Sequence, residues 1–228
     1  MATVNVDSTF DGVLSDNTTY TMIENISRDS EFTLTSGSTG SGIIWNGCGF
    51  TITAIKSGWL GLFPCPVTVS HLGILSSNTA ADNAGWLFQG GIGGSATDCY
   101  STGAIGTIGG GIFGYGSAGA ATNCYSTGTI GEDGGGMFGS QSTGTATTCY
   151  SVGSIGIHGG GMFGSESGGT ATNCYSVGSI GAHGGGMFGS ESGGCATHCY
   201  SIGSIETSGG GMFGSDSTGT TITSGNTT

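Results

Sequence analysis

Residues 159–183 read Gly-Gly-Gly-Met-Phe-Gly-Ser-Glu-Ser-Gly-Gly-Thr-Ala-Thr-Asn-Cys-Tyr-Ser-Val-Gly-Ser-Ile-Gly-Ala-His. The pattern recurs along most of the 228-residue chain at intervals of 25 residues. Phenylalanine marks the interval most strictly, at Phe63, Phe88, Phe113, Phe138, Phe163, Phe188 and Phe213. A fixed period of this kind predicts one structural unit that is repeated and stacked along an axis.

Each unit holds three short strand candidates, Met162–Phe163, Thr170–Val177 and Ser179–Ile180, which Gly-rich corners separate. Three strands and three corners match one coil of a parallel β-helix. Helical repeats are excluded because Gly supplies 52 of the 228 residues and costs a helix interior about 1 kcal/mol per position. Collagen is excluded because the chain has only 2 Pro and no Gly at every third position. The sequence therefore predicts an all-β fold, a parallel β-helix with coils of about 25 residues.

The repeat divides the chain into three predicted segments. Residues 1–57 lack the strict period and read as irregular, β-rich N-terminal coils or a cap. Residues 58–219 follow the 25-residue frame, and residues 220–228 form a C-terminal end segment.

Identical positions in a β-helix stack about 4.8 Å apart, so each repeated residue forms a ladder. We expect the Phe, Ile/Met and Ile ladders to fill the core. The Ile/Met ladder is Ile112, Met137, Met162, Met187 and Met212, and the Ile ladder is Ile105, Ile130, Ile155, Ile180 and Ile205. Two further ladders are Cys99, Cys124, Cys149, Cys174 and Cys199, and Tyr100, Tyr125, Tyr150, Tyr175 and Tyr200. Side chains alternate between the inside and the outside along a straight strand, but a bend at Gly178 would break this alternation. The sequence therefore leaves open whether Cys or Tyr faces inward.

The charge balance excludes several classes of partner. The net charge is −12, and Arg28 and Lys56 are the only Lys or Arg residues. Binding of nucleic acid through its phosphates and attraction to anionic membranes both need a basic surface. No apolar run has the length of a transmembrane helix, so we expect no membrane insertion. The first residues show no signal-peptide pattern.

The repeated motifs resemble a known family. Gly-Gly-(Met/Ile)-Phe-Gly, followed by Gly-Thr-Ala-Thr-Asn-Cys-Tyr-Ser-Val-Gly-Ser-Ile, is similar to the GLUG-type repeat over roughly residues 85–219. The resemblance implies a right-handed parallel β-helix and an adhesin-like protein at an extracellular or cell surface. Similar Gly-rich Cys-Tyr-Ser repeats occur in proteins of large DNA viruses, which adds a virion surface as an expected location. The segment Trp45–Thr53 resembles the first coils of pectate-lyase-like β-helices.

The cysteines allow two interpretations, a reduced packing column or disulfides between some pairs. Cys195 and Cys199 are the best local pair for a disulfide, since they lie four residues apart around a corner. A zinc site is not expected because the chain has no Cys-x-x-Cys motif.

Two polar columns are candidate sites. Glu166, Glu191 and Asp216 share one repeat position above Gln141 and form either a solvated corner or a Ca²⁺ site. His158 and His183 stack above Asp133 and form either an exposed loop or a pH-dependent contact. Glu132 and Asp133 read as a loop pair, and no catalytic constellation is visible, so we expect neither an enzyme nor a cofactor other than Ca²⁺.

The ends of a solenoid expose strand edges unless they are capped. We therefore predict a structural β-helix subunit of an extracellular or virion-surface fibre, which assembles head to tail with copies of itself. One alternative is an adhesin-like module that binds glycans. Another is an ice-binding protein, for which Thr122, Thr147, Thr172 and Thr197 form one regular column. Its neighbouring column is broken, because it holds Ala120, Thr145, Thr170 and Cys195.

Overall fold

The structure, a computed structural model, describes residues 1–56, 58, 61–223 and 225–226. The predicted boundary at Ser57 and part of the predicted segment 220–228 lie outside these residues. In chain order the strands are β1 (Ala2–Val6), β2 (Val13–Leu14), β3 (Thr18–Met22), β4 (Ile26–Arg28), β5 (Thr33–Leu34), β6 (Ile44–Asn46), β7 (Thr51–Ala54), β8 (Thr68–Ser70), β9 (Gly73–Leu75), β10 (Ser95–Thr97), β11 (Tyr100–Ser101), β12 (Ala120–Thr122), β13 (Tyr125–Ser126), β14 (Thr145–Thr147), β15 (Tyr150–Ser151), β16 (Thr170–Thr172), β17 (Tyr175–Ser176), β18 (Cys195–Thr197), β19 (Tyr200–Ser201), β20 (Thr220–Ile222) and β21 (Gly225–Asn226). Within the described residues, no helix has the length and apolarity that crossing a membrane requires.

The strands form two long parallel sheets along the axis. One has ten strands in the order β1-β3-β6-β8-β10-β12-β14-β16-β18-β20, and the other has nine, from β21 through β19 and β17 down to β4. The small pair β2-β5 lies beside them. In the regular coils the register follows the repeat, so that Thr145 lies opposite Thr170 and Thr147 opposite Thr172. The predicted fold class, an all-β parallel β-helix with 25-residue coils, is confirmed.

A third side of each coil is joined by single parallel bridges rather than by strands. The bridges join successive members of three ladders: the Phe ladder, a Gly ladder and the Ile ladder. The Gly ladder is Gly85, Gly110, Gly135, Gly160, Gly185 and Gly210, and the Ile ladder is Ile105, Ile130, Ile155, Ile180 and Ile205. All three sides of the coil are therefore tied to the coils above and below.

Stacked side chains fill the interior. From Phe88 to Phe213 the ring centroids lie 4.5–5.0 Å apart, with planes 2–9° from parallel. Ile112 and the Met residues of the next three coils are fully buried beside them. The Cys ladder points inward and is at most 2% exposed, whereas the Tyr ladder lies on the outer surface. Cys rather than Tyr therefore completes the core.

Close contact between coils explains the glycines at two repeat positions. A Cβ on Gly153 would lie 1.8 Å from the backbone oxygen of Gly128, one coil below. A Cβ on Gly169 would lie 2.4 Å from Cε1 of Phe163. Since no carbon atom can approach that closely, a larger residue at either position would push the coils apart.

Candidate functional site

A regular surface runs along the outer face of the ten-stranded sheet. In each regular three-residue strand the central residue is buried and the two flanking residues face solvent, as pleating requires. We call the outward side chains the hydroxyl face. Its first column is Thr3, Thr19, Ile44, Thr68, Ser95, Ala120, Thr145, Thr170, Cys195 and Thr220, and its second is Asn5, Thr21, Asn46, Ser70, Thr97, Thr122, Thr147, Thr172, Thr197 and Ile222.

The hydroxyl face carries no charged side chain. Thr fills six of the ten positions in each column, and the rest are Ser, Asn, Ile, Ala and Cys. The chain's 14 acidic residues and its two basic residues all lie elsewhere. The sequence pattern identified only four regular coils of the two columns, because the earlier coils differ in length although their strands continue the same columns.

The tyrosine ladder forms a second exposed surface. Ring centroids from Tyr100 to Tyr200 are 4.8–5.2 Å apart and the planes lie within 6° of parallel. Each interior ring therefore covers the face of its neighbour, and mainly the ring edges and hydroxyls are open. Desolvation, together with the neighbouring Tyr100 and Tyr150 hydroxyls, raises the pKa of Tyr125. Flat stacking of a sugar ring on these tyrosines is blocked within the ladder.

The carboxylate column lies at exposed corners. Gln141, Glu166, Glu191 and Asp216 all have φ near +56°. Gln141 Nε2 donates a hydrogen bond to Glu166 Oε2 at 2.9 Å. One Ca²⁺ ion holds oxygens at about 2.3–2.6 Å, whereas Glu166 and Asp216 are two coils apart, about 9.6 Å at the usual strand spacing. Among the described residues these three carboxylates do not converge, so the predicted set does not form one shared Ca²⁺ site.

A different cluster does bring possible metal ligands together. Ligand atoms of Glu132, Asp133 and His158 lie within 4.8 Å of one another. Nδ1 of His158 is 3.7 Å from Oδ1 of Asp133, and the His183 ring lies 5.3 Å from the His158 ring. One imidazole nitrogen and two carboxylates are ligands that a divalent transition metal accepts. The predicted stack of His158 and His183 is present, but sequence reasoning did not join Glu132 to it, although Asp133 and His158 are one repeat apart.

The ladder thiols of Cys149 and Cys174 are unreactive in their surroundings. Cys149 Sγ donates to the backbone oxygens of Thr147 at 3.3 Å and Ala121 at 3.5 Å. Contact with the thiol of the preceding coil, together with burial, raises the pKa of Cys149 and of Cys174 to about 12. A thiol with so high a pKa is a poor nucleophile near neutral pH.

The predicted disulfide between Cys195 and Cys199 is absent. No S–S bond joins any two of the eight cysteines, all of which lie among the described residues. Cys195 faces outward on β18 with its Sγ 3.7 Å from Thr197 Oγ1, whereas Cys199 is buried with its Sγ against the backbone oxygen of Ala171. The corner between them turns the two side chains to opposite sides of the coil wall, so the disulfide prediction was wrong.

Comparison with known proteins supports the fold. Neither a comparison with protein-family models nor one with curated proteins finds a match. Among solved structures the chain is similar to a "putative immunoglobulin A1 protease" from Bacteroides ovatus, with 18% sequence identity and a TM-score of 0.60. The similarity covers 92% of this chain and 77% of that one. At this identity the likeness shows the β-solenoid fold alone, and the resemblance to GLUG-type repeats stays a prediction.

Proposed function

We propose that this chain is a structural β-helix subunit whose copies stack end to end into a fibre at a cell or virion surface. The proposal rests on the partial exposure of core side chains in the last described coil. Met212 and Phe213 are partly exposed there, whereas Met187 and Phe188, one coil below, are fully buried. Burying this apolar surface against another copy would be favourable, since each Å² removed from water contributes about 25 cal/mol.

The opposite end of the solenoid offers matching strand edges. β1 and β4 are the edge strands there of the same two sheets that β20 and β21 bound at the other end. Head-to-tail stacking would keep every strand parallel and continue both columns of the hydroxyl face. The Phe10 ring lies 5.6–6.2 Å from the rings of Tyr20, Phe32 and Trp45 and is itself only partly buried at this end. The contact would therefore combine strand pairing with the packing of Phe213 near Phe10.

Charge sets the conditions for assembly. Asp7, Asp11 and Asp16 lie in the first coil, and Glu206 and Asp216 lie in the last. Both ends are thus negative, and end-to-end contact brings like charges together. Salt screens exposed charges over about 8 Å at 0.15 M ionic strength, so we expect assembly to increase with salt.

Substitution at the open end tests the proposal. Ile205 is 36% exposed on the last coil, and its ladder neighbour Ile180 is fully buried. Ile205→Lys should abolish assembly measured by sedimentation velocity, because stacking would bury the charge. Val152→Lys is the matched control, since Val152 is exposed on an interior coil and should leave assembly unchanged. Circular dichroism checks that both variants fold, and equal assembly of the two folded variants would argue against end-to-end stacking.

Two other functions receive less support. A glycan-binding module would use open aromatic faces, and the interior tyrosines cover one another. The name of the similar structure suggests peptidase activity. A serine or cysteine peptidase needs an accessible, activated nucleophile, but the ladder cysteines and the serines that follow the ladder tyrosines are buried. We therefore expect no cleavage of immunoglobulin A1 by the purified chain in the presence of a metal chelator, with mass spectrometry of the digest as the measurement.

A further inference from the structure

We propose that the hydroxyl face binds the surface of ice. The face is uncharged and twelve of its positions are Thr, on a chain whose net charge is −12. An occupant that fits it is extended, regular, uncharged and able both to donate and to accept hydrogen bonds. A lattice of ordered water has all four properties, whereas a charged macromolecule would find no partner for its charges.

The face is regular over the repeated coils. From Phe88 to Phe213 the stacked rings stay within 2–9° of parallel, and corresponding residues of β12, β14, β16 and β18 pair in register. From β10 to β20 the two columns therefore run side by side, with a repeat of about 4.8 Å along the axis and about 6.6 Å between columns. An array with two fixed spacings is what binding to a crystal plane requires.

The face is held rigid from the inside. The residue between the two columns is a buried Ala in five successive strands, Ala96, Ala121, Ala146, Ala171 and Ala196. The ladder thiols donate to the backbone oxygens of four of them at 3.4–3.5 Å, as Cys174 does to Ala146. Thr itself is stiff because its β-branch restricts χ1. Hydroxyl and methyl groups are thus fixed before any water is bound, which lowers the entropy cost of binding.

The interruptions in the pattern do not spoil the plane. Ala120, Cys195 and Ile44 replace Thr in the first column. Each of these side chains is uncharged and has at most four carbon atoms. No Lys, Arg, Glu or aromatic residue projects from either column. The inference does not depend on end-to-end stacking, although a fibre would lengthen the face.

Thermal hysteresis and inhibition of ice recrystallisation test the inference on the full chain in low salt, where we expect the least end-to-end stacking. We expect the unaltered chain to show both. Thr147→Tyr places a bulky ring in the centre of the face and should reduce the hysteresis gap by more than half. Thr127→Tyr is the matched control, because Thr127 is exposed on another side of the coil, and should keep the full gap.

Circular dichroism and thermal unfolding confirm that both Tyr variants fold. Absence of hysteresis and of recrystallisation inhibition in the unaltered chain would overturn the inference, as would equal gaps for the two folded variants. Ile205→Lys separates the two proposals. If it blocks assembly and keeps the hysteresis gap, the ice-binding face stands on its own; if it loses the gap as well, activity belongs to the fibre and the inference as stated is wrong.

Discussion

At the scale of single residues, thiol reactivity separates the inner wall of the solenoid from the outer. Cys48 is exposed and Cys195 is partly exposed, whereas the five ladder cysteines are buried. We expect a thiol reagent at pH 8 to label Cys48 first, Cys195 more slowly, and the ladder only after unfolding. Burial shields every ladder thiol from the reagent, and at Cys149 a raised pKa also suppresses the thiolate. Mass spectrometry of timed samples measures the order. Labelling of Cys149 at the rate of Cys48 would contradict the inward ladder.

Asp16 is expected to give the N-terminal coils an acid-sensitive contact. Its carboxylate accepts hydrogen bonds from Ser38 Oγ at 2.6 Å and from the backbone N–H groups of Thr39 and Ser41 at 3.0 and 2.9 Å. The Ser38 bond above all, with the backbone bonds, lowers the pKa of Asp16 to about 2. A pKa lowered by folding means that the stabilisation is complete above the ordinary value of 3.8 and is lost as the pH falls toward 2.

The Asp16→Asn variant tests this contact. As the pH is lowered from 4 to 2, the melting temperature of the unaltered chain should fall more steeply than that of the variant. At pH 7 the variant should be the less stable of the two. Parallel pH profiles for the two proteins would show that the carboxylate charge contributes nothing.

Sequence reasoning predicted which residues share a column but not which side of the wall each occupies. In the regular coils Phe, Met, Cys and Tyr recur every 25 residues, and this spacing is enough to predict the ladders. The direction of Cys and Tyr depends on the bend beside Asn173, which has φ of 54°. Because alternation holds only along an unbent strand, the sequence could not decide between them.

At the scale of elements, the ten-stranded sheet shows why a strict repeat is an incomplete guide. The inward residues Val4, Tyr20, Trp45, Val69 and Ala96 are successive partners, but the chain between them runs 16, 25, 24 and 27 residues. Loops at the corners absorb the differences, while the strands keep their pleat. A search for a fixed period therefore missed the first half of the hydroxyl face.

The Phe ladder should contribute unequally along its length. Phe163 is fully buried between rings above and below, so Phe163→Ala should cost about 3–5 kcal/mol of unfolding free energy. Phe213 has a ring on one side only among the described residues and is partly exposed. Phe213→Ala should therefore cost less. Denaturant unfolding at low salt and low concentration measures both, and equal losses would mean that the last coil is as well packed as the interior.

At the scale of the whole molecule, the fold is a stack of irregular N-terminal coils followed by nearly identical 25-residue coils. Interior coils satisfy their backbone groups through the coils above and below. Partly buried apolar side chains lie at both ends, Val4 and Phe10 near β1 and Met212 and Phe213 in the last described coil. Head-to-tail contact would pack these two surfaces against each other and keep every strand parallel.

Electron microscopy of the purified chain over a range of protein and salt concentrations tests end-to-end stacking most directly. We expect unbranched filaments one solenoid wide, which become longer as salt screens the acidic ends and which Ile205→Lys prevents. Single particles of one length at every concentration and salt would contradict it.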